Sequence, residues 1–218
     1  MPESRLILVD GSGYIFRAYY ALPPMNNSKG IPTNAVYGFC NMMLRLIEEH
    51  PHDKILIILD AGKNTFRNTL YSEYKANRSE APEDLIPQFG IIREAIQAFG
   101  LDVIEKKDFE ADDIIASYVK YGEDNKIPTT VYSSDKDLFQ LLSNNTRIMD
   151  PMKNVEIDEA RVFEKFGVGP DKITDVQALI GDSVDNIPGV PGIGPKTAAK
   201  LINEFSSFEE LLAKKDQI

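Results

Sequence analysis

Glu110, Asp112 and Asp113 crowd three carboxylates into four residues, directly ahead of an apolar run in which Ile114, Ile115, Tyr118 and Val119 recur at helical spacing. A helix N-terminus tolerates acids because its dipole end is positive, but carboxylates this close repel one another beyond what capping needs. A cation is expected among them. Standing alone, such a cluster is an ordinary solvated helix start. It does not stand alone: Asp10 closes the apolar run Leu6 to Val9, Asp60 follows Ile55 to Leu59, and Asp135 and Asp137 lie just beyond Thr129 to Tyr132. Asp182 and Asp185, three residues apart, are expected on one side of a helical turn. These nine carboxylates, without His or Cys partners, make a hard oxygen donor set that selects Mg²⁺ or Mn²⁺ over zinc.

The elements that must position these acids are legible as alternating patterns. Leu6 to Val9 and Ile55 to Leu59 are fully apolar runs closed by Asp10 and Asp60, and between them Ala35 to Glu49 has the spacing of an amphipathic crossover helix. Leu85 to Phe99 reads as a helix, Leu101 to Ile104 and Thr129 to Tyr132 as strands, Arg147 to Met149 as a further strand, and Asn154 to Ile157 as its hairpin return or an edge strand. About five strands are expected. Apolar strands alternating with helices predict an α/β fold with a central, mostly parallel sheet flanked by helices, whose ligands bind outside the carboxyl ends of the strands.

The chain of 218 residues carries 24 basic and 34 acidic side chains, a net charge of −10. On its face that opposes a polyanionic partner. Acids that converge on divalent ions, however, leave the working face less negative than the sum suggests. Near the C-terminal end, Ile187 to Leu201 combines tight turns with a helix start. Gly189 and Gly194 have the spacing of a P-loop, but Pro195 stands where its lysine belongs. The segment therefore reads as a helix-hairpin-helix type turn gripping a nucleic-acid backbone. Gly192 and Gly194 give close approach, the amides at the Thr197 helix start suit a phosphate, and Lys196 and Lys200 are the phosphate contacts. A merely structural Gly/Pro loop is the competing reading. Cys40 is expected in core packing, and His50 and His52 in a solvated turn. The longest apolar stretch is far too short to cross a bilayer, so no membrane partner and a cytoplasmic location are expected. No heptad seam is present, and a monomer is expected.

In Leu8-Val9-Asp10-Gly11-Ser12 with Phe16-Arg17-Ala18-Tyr19, Asp60 with Phe66-Arg67, Tyr74-Lys75-Ala76-Asn77-Arg78, Glu110-Ala111-Asp112-Asp113, Ser134-Asp135-Lys136-Asp137, Gly181-Asp182-Ser183-Val184-Asp185-Asn186 and Gly192-Ile193-Gly194-Pro195-Lys196-Thr197-Ala198, the sequence resembles the 5′ nucleases. Within that family it is most similar to the 5′ to 3′ exonuclease domain at the N-terminus of bacterial DNA polymerase I. Such domains usually continue for several tens of residues more, so the resemblance implies a piece of a longer chain and leaves open whether a polymerase domain follows on it.

The resemblance implies two divalent ions acting on a phosphodiester. Asp10, Asp60, Glu110 and Asp112 would surround one; Asp135, Asp137 and Asp185 would hold the other, with Asp112 shared and Asp113 and Asp182 supporting. Implied substrates are DNA with a 5′ flap or single-strand to double-strand junction and the RNA of primer/DNA hybrids, in replication and repair. Arg67, Tyr71, Tyr74, Lys75 and Arg78 recur at helical spacing and are expected to share a face toward phosphate, with Tyr74 stacking on a base. In the family this helix belongs to an arch, here about residues 63–85, and Lys75 and Arg78 would polarise the scissile phosphate. The expected organisation is a catalytic core over residues 1–170 and a helical DNA-binding subdomain over 171–218. Competing readings are a non-catalytic junction-binding module, a PIN-type RNA nuclease, which would not need the glycine turn, and a haloacid dehalogenase type phosphatase. The last needs an acid where Ser12 stands.

Overall fold

Leu6 and Leu8 point to one side of the first strand and Ile7 and Val9 to the other, and all four are buried. Such a strand must lie inside a sheet covered on both faces. In the computed structural model, which describes residues 4–215, β1 (Leu6–Asp10) does so. It pairs in parallel with β2 (Lys54–Ile58) on one side and β4 (Thr129–Tyr132) on the other. β3 (Asp102–Ile104) joins β2 and β5 (Thr146–Asp150) joins β4, both in parallel, while β6 (Val155–Ile157) returns antiparallel on β5. The sheet thus has six strands in the order β3-β2-β1-β4-β5-β6, one more than the sequence pattern suggested, because the hairpin return is a true edge strand. β2 ends at Ile58, two residues before Asp60; the Leu59 amide still bonds the Ile104 carbonyl.

Helices α1 (Gly11–Ala21), α2 (Asn34–Glu49) and α4 (Ile86–Ala98) cover one face, where Phe39, Met43, Ile92 and Ile96 pack on Ile7, Val9 and Ile57. Each such buried side chain contributes ~1.5–3 kcal/mol. On the other face, α5 (Ala111–Asn125), α6 (Glu159–Phe166) and α7 (Ile173–Ile180) share one continuous core with α8 (Pro195–Phe205) and α9 (Phe208–Ala213). The C-terminal helices are therefore continuous with the sheet's core. Ile114, Ile115 and Val119 of α5 are buried there, as their spacing required. Among the described residues no helix is long and apolar enough to cross a membrane. The outer ends of the expected segments, residues 1–3 and 216–218, lie outside the described residues.

Three local expectations change. Arg67 to Arg78 is not one helix: α3 (Phe66–Leu70) stops at once, turns follow, and Lys75 adopts φ 56°. The Lys75 amide bonds the Asp185 carbonyl, a partner far along the chain, in place of the carbonyl four residues back. Asp182 and Asp185 likewise lie on a loop and not a helical turn. α7 ends at Ile180, and Asp182 and Ile187 exchange backbone hydrogen bonds of 2.8 and 2.7 Å. Gly181 and Gly189 permit this closure, since a Cβ on Gly181 would lie 2.4 Å from the Gly189 nitrogen. His50 is half-buried, with Nδ1 2.9 Å from Asp53 and Nε2 2.8 Å from the Tyr132 hydroxyl, so it belongs to an internal polar chain and not to a solvated turn. Cys40 is half-buried.

Candidate metal centre and nucleic-acid interface

The strand order reverses between β1 and β4, which opens a crevice at their carboxyl ends. Asp10 and Ser133 meet there. Asp10 caps α1, accepting from the Gly13 amide at 2.8 Å, and its second oxygen accepts from Ser133 Oγ at 2.8 Å. Burial pushes its carboxyl up to about 6 against these two hydrogen bonds, and Asp60 and Asp135 push the same way. Asp60 sits on the β2 side, accepting from the Ala111 amide at 2.9 Å, while its own amide donates to Ser12 Oγ at 3.1 Å. That bond fixes the start of α5, so one acid positions the next three.

Glu110 is the N-cap of α5 and is buried. Its carboxylate accepts from the Tyr74 hydroxyl at 3.0 Å and from Lys75 Nζ at 2.9 Å. Asp112 is pushed up to about 8, first by burial and then by Asp135 and Asp10, with Lys75 opposing. Asp113 is different: Arg67 grips both its oxygens at 2.7 Å, and this guanidinium holds its carboxyl below the usual range. Asp113 therefore fastens Arg67 and caps α5, accepting from the Glu110 amide at 3.0 Å.

On the β4 side, Asp135 accepts from the Asp137 amide at 2.9 Å, and its own amide donates to Ser133 Oγ at 3.0 Å. Asp137 accepts from Gln177 of α7; burial and neighbouring Asp135 push its carboxyl up. Asp182 pairs with Lys136 at 2.6 Å and also accepts from the Val184 amide. Although burial works against it, these partners hold its carboxyl low. Asp185 accepts from Arg78 at 2.5 Å and from the Tyr74 hydroxyl at 3.1 Å, and lies 3.7 Å from Lys75 Nζ. Tyr74 is thus buried between two acids, which overturns its expected place on an open, base-stacking face. Ser12, Ser133, Lys136 and Gln177 escaped the sequence reading as site residues. For Ser133 and Lys136 the signal was adjacency to Asp135 and Asp137; Gln177 had none.

Among the described residues, no three carboxylates are drawn together closely enough to hold an ion as they stand. The chain's own cations, Lys75, Arg78 and Lys136, lie among them instead. The donor chemistry nevertheless fits a hard divalent cation. All donors are carboxylate oxygens, and Asp10, Asp112 and Asp137 are held against burial first and against neighbouring carboxylates second, both of which a divalent cation would relieve. Beside them a cavity of about 720 Å³ runs between Tyr71 and Tyr74, the start of α5, and Gln177 and Pro188, with Leu70, Leu138 and Leu141 adding an apolar wall.

The glycine turn stands apart from this cluster. Gly192 (φ 84°), Gly194, Lys196, Thr197 and Lys200 are all exposed, and an added Cβ on Gly192 or Gly194 would meet nothing within 4 Å. Gly194 caps α8 with no side-chain bond to its first-turn amides. Lys196 and Lys200 make no ion pair among the described residues. Gly189, by contrast, is consumed internally, packed on the Ile180 carbonyl.

Residues 5–167 match the family model of the 5′-3′ exonuclease N-terminal resolvase-like domain, and residues 168–218 match that of the 5′-3′ exonuclease C-terminal SAM fold. The chain is 41% identical to a 5′-3′ exonuclease of Aquifex aeolicus, covering 95% of this chain and 72% of that protein. It is 51% identical to DNA polymerase I of Rhizobium leguminosarum over 98% of its own length but only 22% of the relative's. A solved structure of the bacteriophage T5 D15 flap endonuclease, a pseudo-enzyme-product complex with DNA and metal ions, superposes with a TM-score of 0.78 at 25% identity, covering 96% of this chain and 78% of that one. With residues 5–167 and 168–218 matched in order by the family's two models, the chain belongs to the 5′-3′ exonuclease family.

Proposed function

We propose that this chain is a divalent-metal-dependent, structure-specific 5′ nuclease, acting as a 5′ to 3′ exonuclease and flap endonuclease at 5′ flaps and single-strand to double-strand junctions. One observation carries the reading: Lys75 and Arg78 contact, at 2.9 and 2.5 Å, the acids of a crevice at the sheet's switch point, so cations and carboxylates converge where a phosphodiester and its divalent ions would bind. Asp10, Asp60, Glu110 and Asp112 would hold one Mg²⁺ or Mn²⁺ ion, and Asp135, Asp137 and Asp185 another, with Asp182 behind them. The chemistry such ions would supply when bound is activation of a water and offset of charge on the phosphate oxygens.

The chain's own residues do the rest. Lys75 and Arg78 exchange their carboxylate partners for the scissile phosphate, and Tyr74 keeps Glu110 and Asp185 in place during that exchange. Hydrolysis adds water across the P–O3′ bond, leaving a 5′ phosphate and a 3′ hydroxyl. The cavity beside the acids takes the unpaired strand. Gly192, Gly194, Lys196, Thr197 and Lys200 grip the duplex backbone, which divides the labour between residues 1–170, with the arch at about 63–85, and 171–218. The protein acts as a monomer in primer removal and repair, on DNA flaps and RNA primer/DNA hybrids; its polymerase I relatives carry a much longer chain.

A second reading, a non-catalytic junction-binding module, is favoured by the internal ion pairs that neutralise Glu110, Asp182 and Asp185. Incubation with a 5′-flap DNA labelled at the flap end separates the two. Junction cleavage with Mg²⁺ and none with EDTA is expected; binding without cleavage under both conditions would establish the second reading.

A further inference from the structure

Lys75 holds φ 56°, a conformation that a non-glycine residue keeps only when its surroundings over-determine it. Those surroundings are three hydrogen bonds between the same two segments. The Lys75 amide donates to the Asp185 carbonyl at 2.9 Å. Asn77 Nδ2 donates to the Ser183 carbonyl at 2.8 Å, and Asn186 Nδ2 donates to the Glu73 carbonyl at 2.7 Å. The two carboxamides thus reach across in opposite directions, one from the arch to the acid loop and one back. Asn186 itself sits at φ 58°, which asparagine tolerates better than most residues.

We infer that Asn77 and Asn186 are positioning residues, a two-way clasp that fixes the Lys75 backbone on the loop bearing Asp182 and Asp185 and so aims Lys75 Nζ into the acid crevice. Neither asparagine touches the acids' side chains or the expected phosphate. They act through Lys75: with the clasp open, Lys75 relaxes to an ordinary φ and its ammonium leaves Glu110. The clasp also makes arch and acid loop one body, so the cations of the first and the acids of the second are set in a single step.

This inference rests on the nuclease reading, and its test distinguishes the two. Asn186→Gly keeps the positive φ and removes only the carboxamide. Single-turnover cleavage of flap DNA at saturating enzyme should fall about 10-fold, with DNA affinity in EDTA changed less than about 2-fold, because misplacing a group that acts on the reacting phosphate costs rate more than binding. In a Lys75→Ala background the same change should cost less than about 2-fold. Asn77→Ser, at an exposed position, should repeat the pattern without touching the core. An equal loss in both backgrounds, or no loss in either, would overturn the clasp. Amide hydrogen exchange of the DNA-free protein gives a readout that needs no catalysis: Asn186→Gly should speed exchange at Lys75 about 10-fold, and unchanged exchange would overturn the inference too. If the parent chain does not cleave at all, the nuclease reading fails while the exchange experiment still decides the clasp.

Discussion

The acid crevice and the glycine turn both carry charge, and they are built on opposite principles. In the crevice, Glu110 is buried and Asp10, Asp112 and Asp137 are half-buried, and the polar groups that face them are Ser133, Tyr74, Lys75 and Gln177. At the turn, Lys196 and Lys200 lie in solvent and the first amides of α8 have no side-chain partner. The crevice stores electrostatic conflict inside the fold; the turn stores none. Strained buried charge suits a site that must bind metal and act on a phosphate. Solvated lysines around a helix start suit sequence-independent backbone contact.

The sharpest way to break this contrast is Asp112→Asn, which removes a charge at the centre of the crevice with little change in volume. Cleavage should fall by about three orders of magnitude, the several kcal/mol that metal-ion catalysis supplies, while junction binding persists. Retained activity in a Mg²⁺ assay would dissolve the proposed centre. Lys75→Ala comes next: the single-turnover rate at saturating enzyme should drop about 100-fold, far more than affinity, as expected for a group that stabilises developing charge. An unchanged rate would make Lys75 a binding residue at most. At the turn, Lys196→Glu should weaken binding to duplex-containing substrates about 10-fold at low salt and less at high salt, leaving the saturated rate intact. Equal binding by mutant and parent across a salt titration would return the turn to a structural role.

The smallest effect is on stability. The folded Asp112 carboxyl is raised to about 8, above its ordinary value of 3.8, so the native state binds the proton more tightly than the unfolded chain. Stability of the metal-free protein from this group should therefore be highest at low pH and be lost as pH rises between those values. Thermal melting in EDTA should find Asp112→Asn a few degrees more stable than the parent near pH 8 and matched to it near pH 4. No divergence between the two melting profiles would mean that the crevice carries no buried conflict.

Periodicity made much of this legible in advance. Leu6 to Val9 and Ile55 to Ile58 had to be doubly covered parallel strands because no residue in either run tolerates water, and aspartates placed just past them had to fall on one edge. α2 and α5 followed from their apolar stripes in the same way. The arch was misread for an instructive reason: Arg67, Tyr71, Tyr74, Lys75 and Arg78 do have helical spacing, but the Lys75 amide finds the Asp185 carbonyl and the pattern never becomes a helix.

By itself, then, the sequence determined the strands, the helices α2, α4 and α5, the carboxylate chemistry of the acids and the solvent-facing glycine turn, because each is encoded in residues that are neighbours along the chain. Tertiary structure alone decided the strand order that opens a crevice between β1 and β4, the burial of Tyr74, and the partners of the acids. Arg78 meets Asp185 across 107 residues and Gln177 meets Asp137 across 40. Pairings of that kind depend on how whole elements dock, and no local spacing records them.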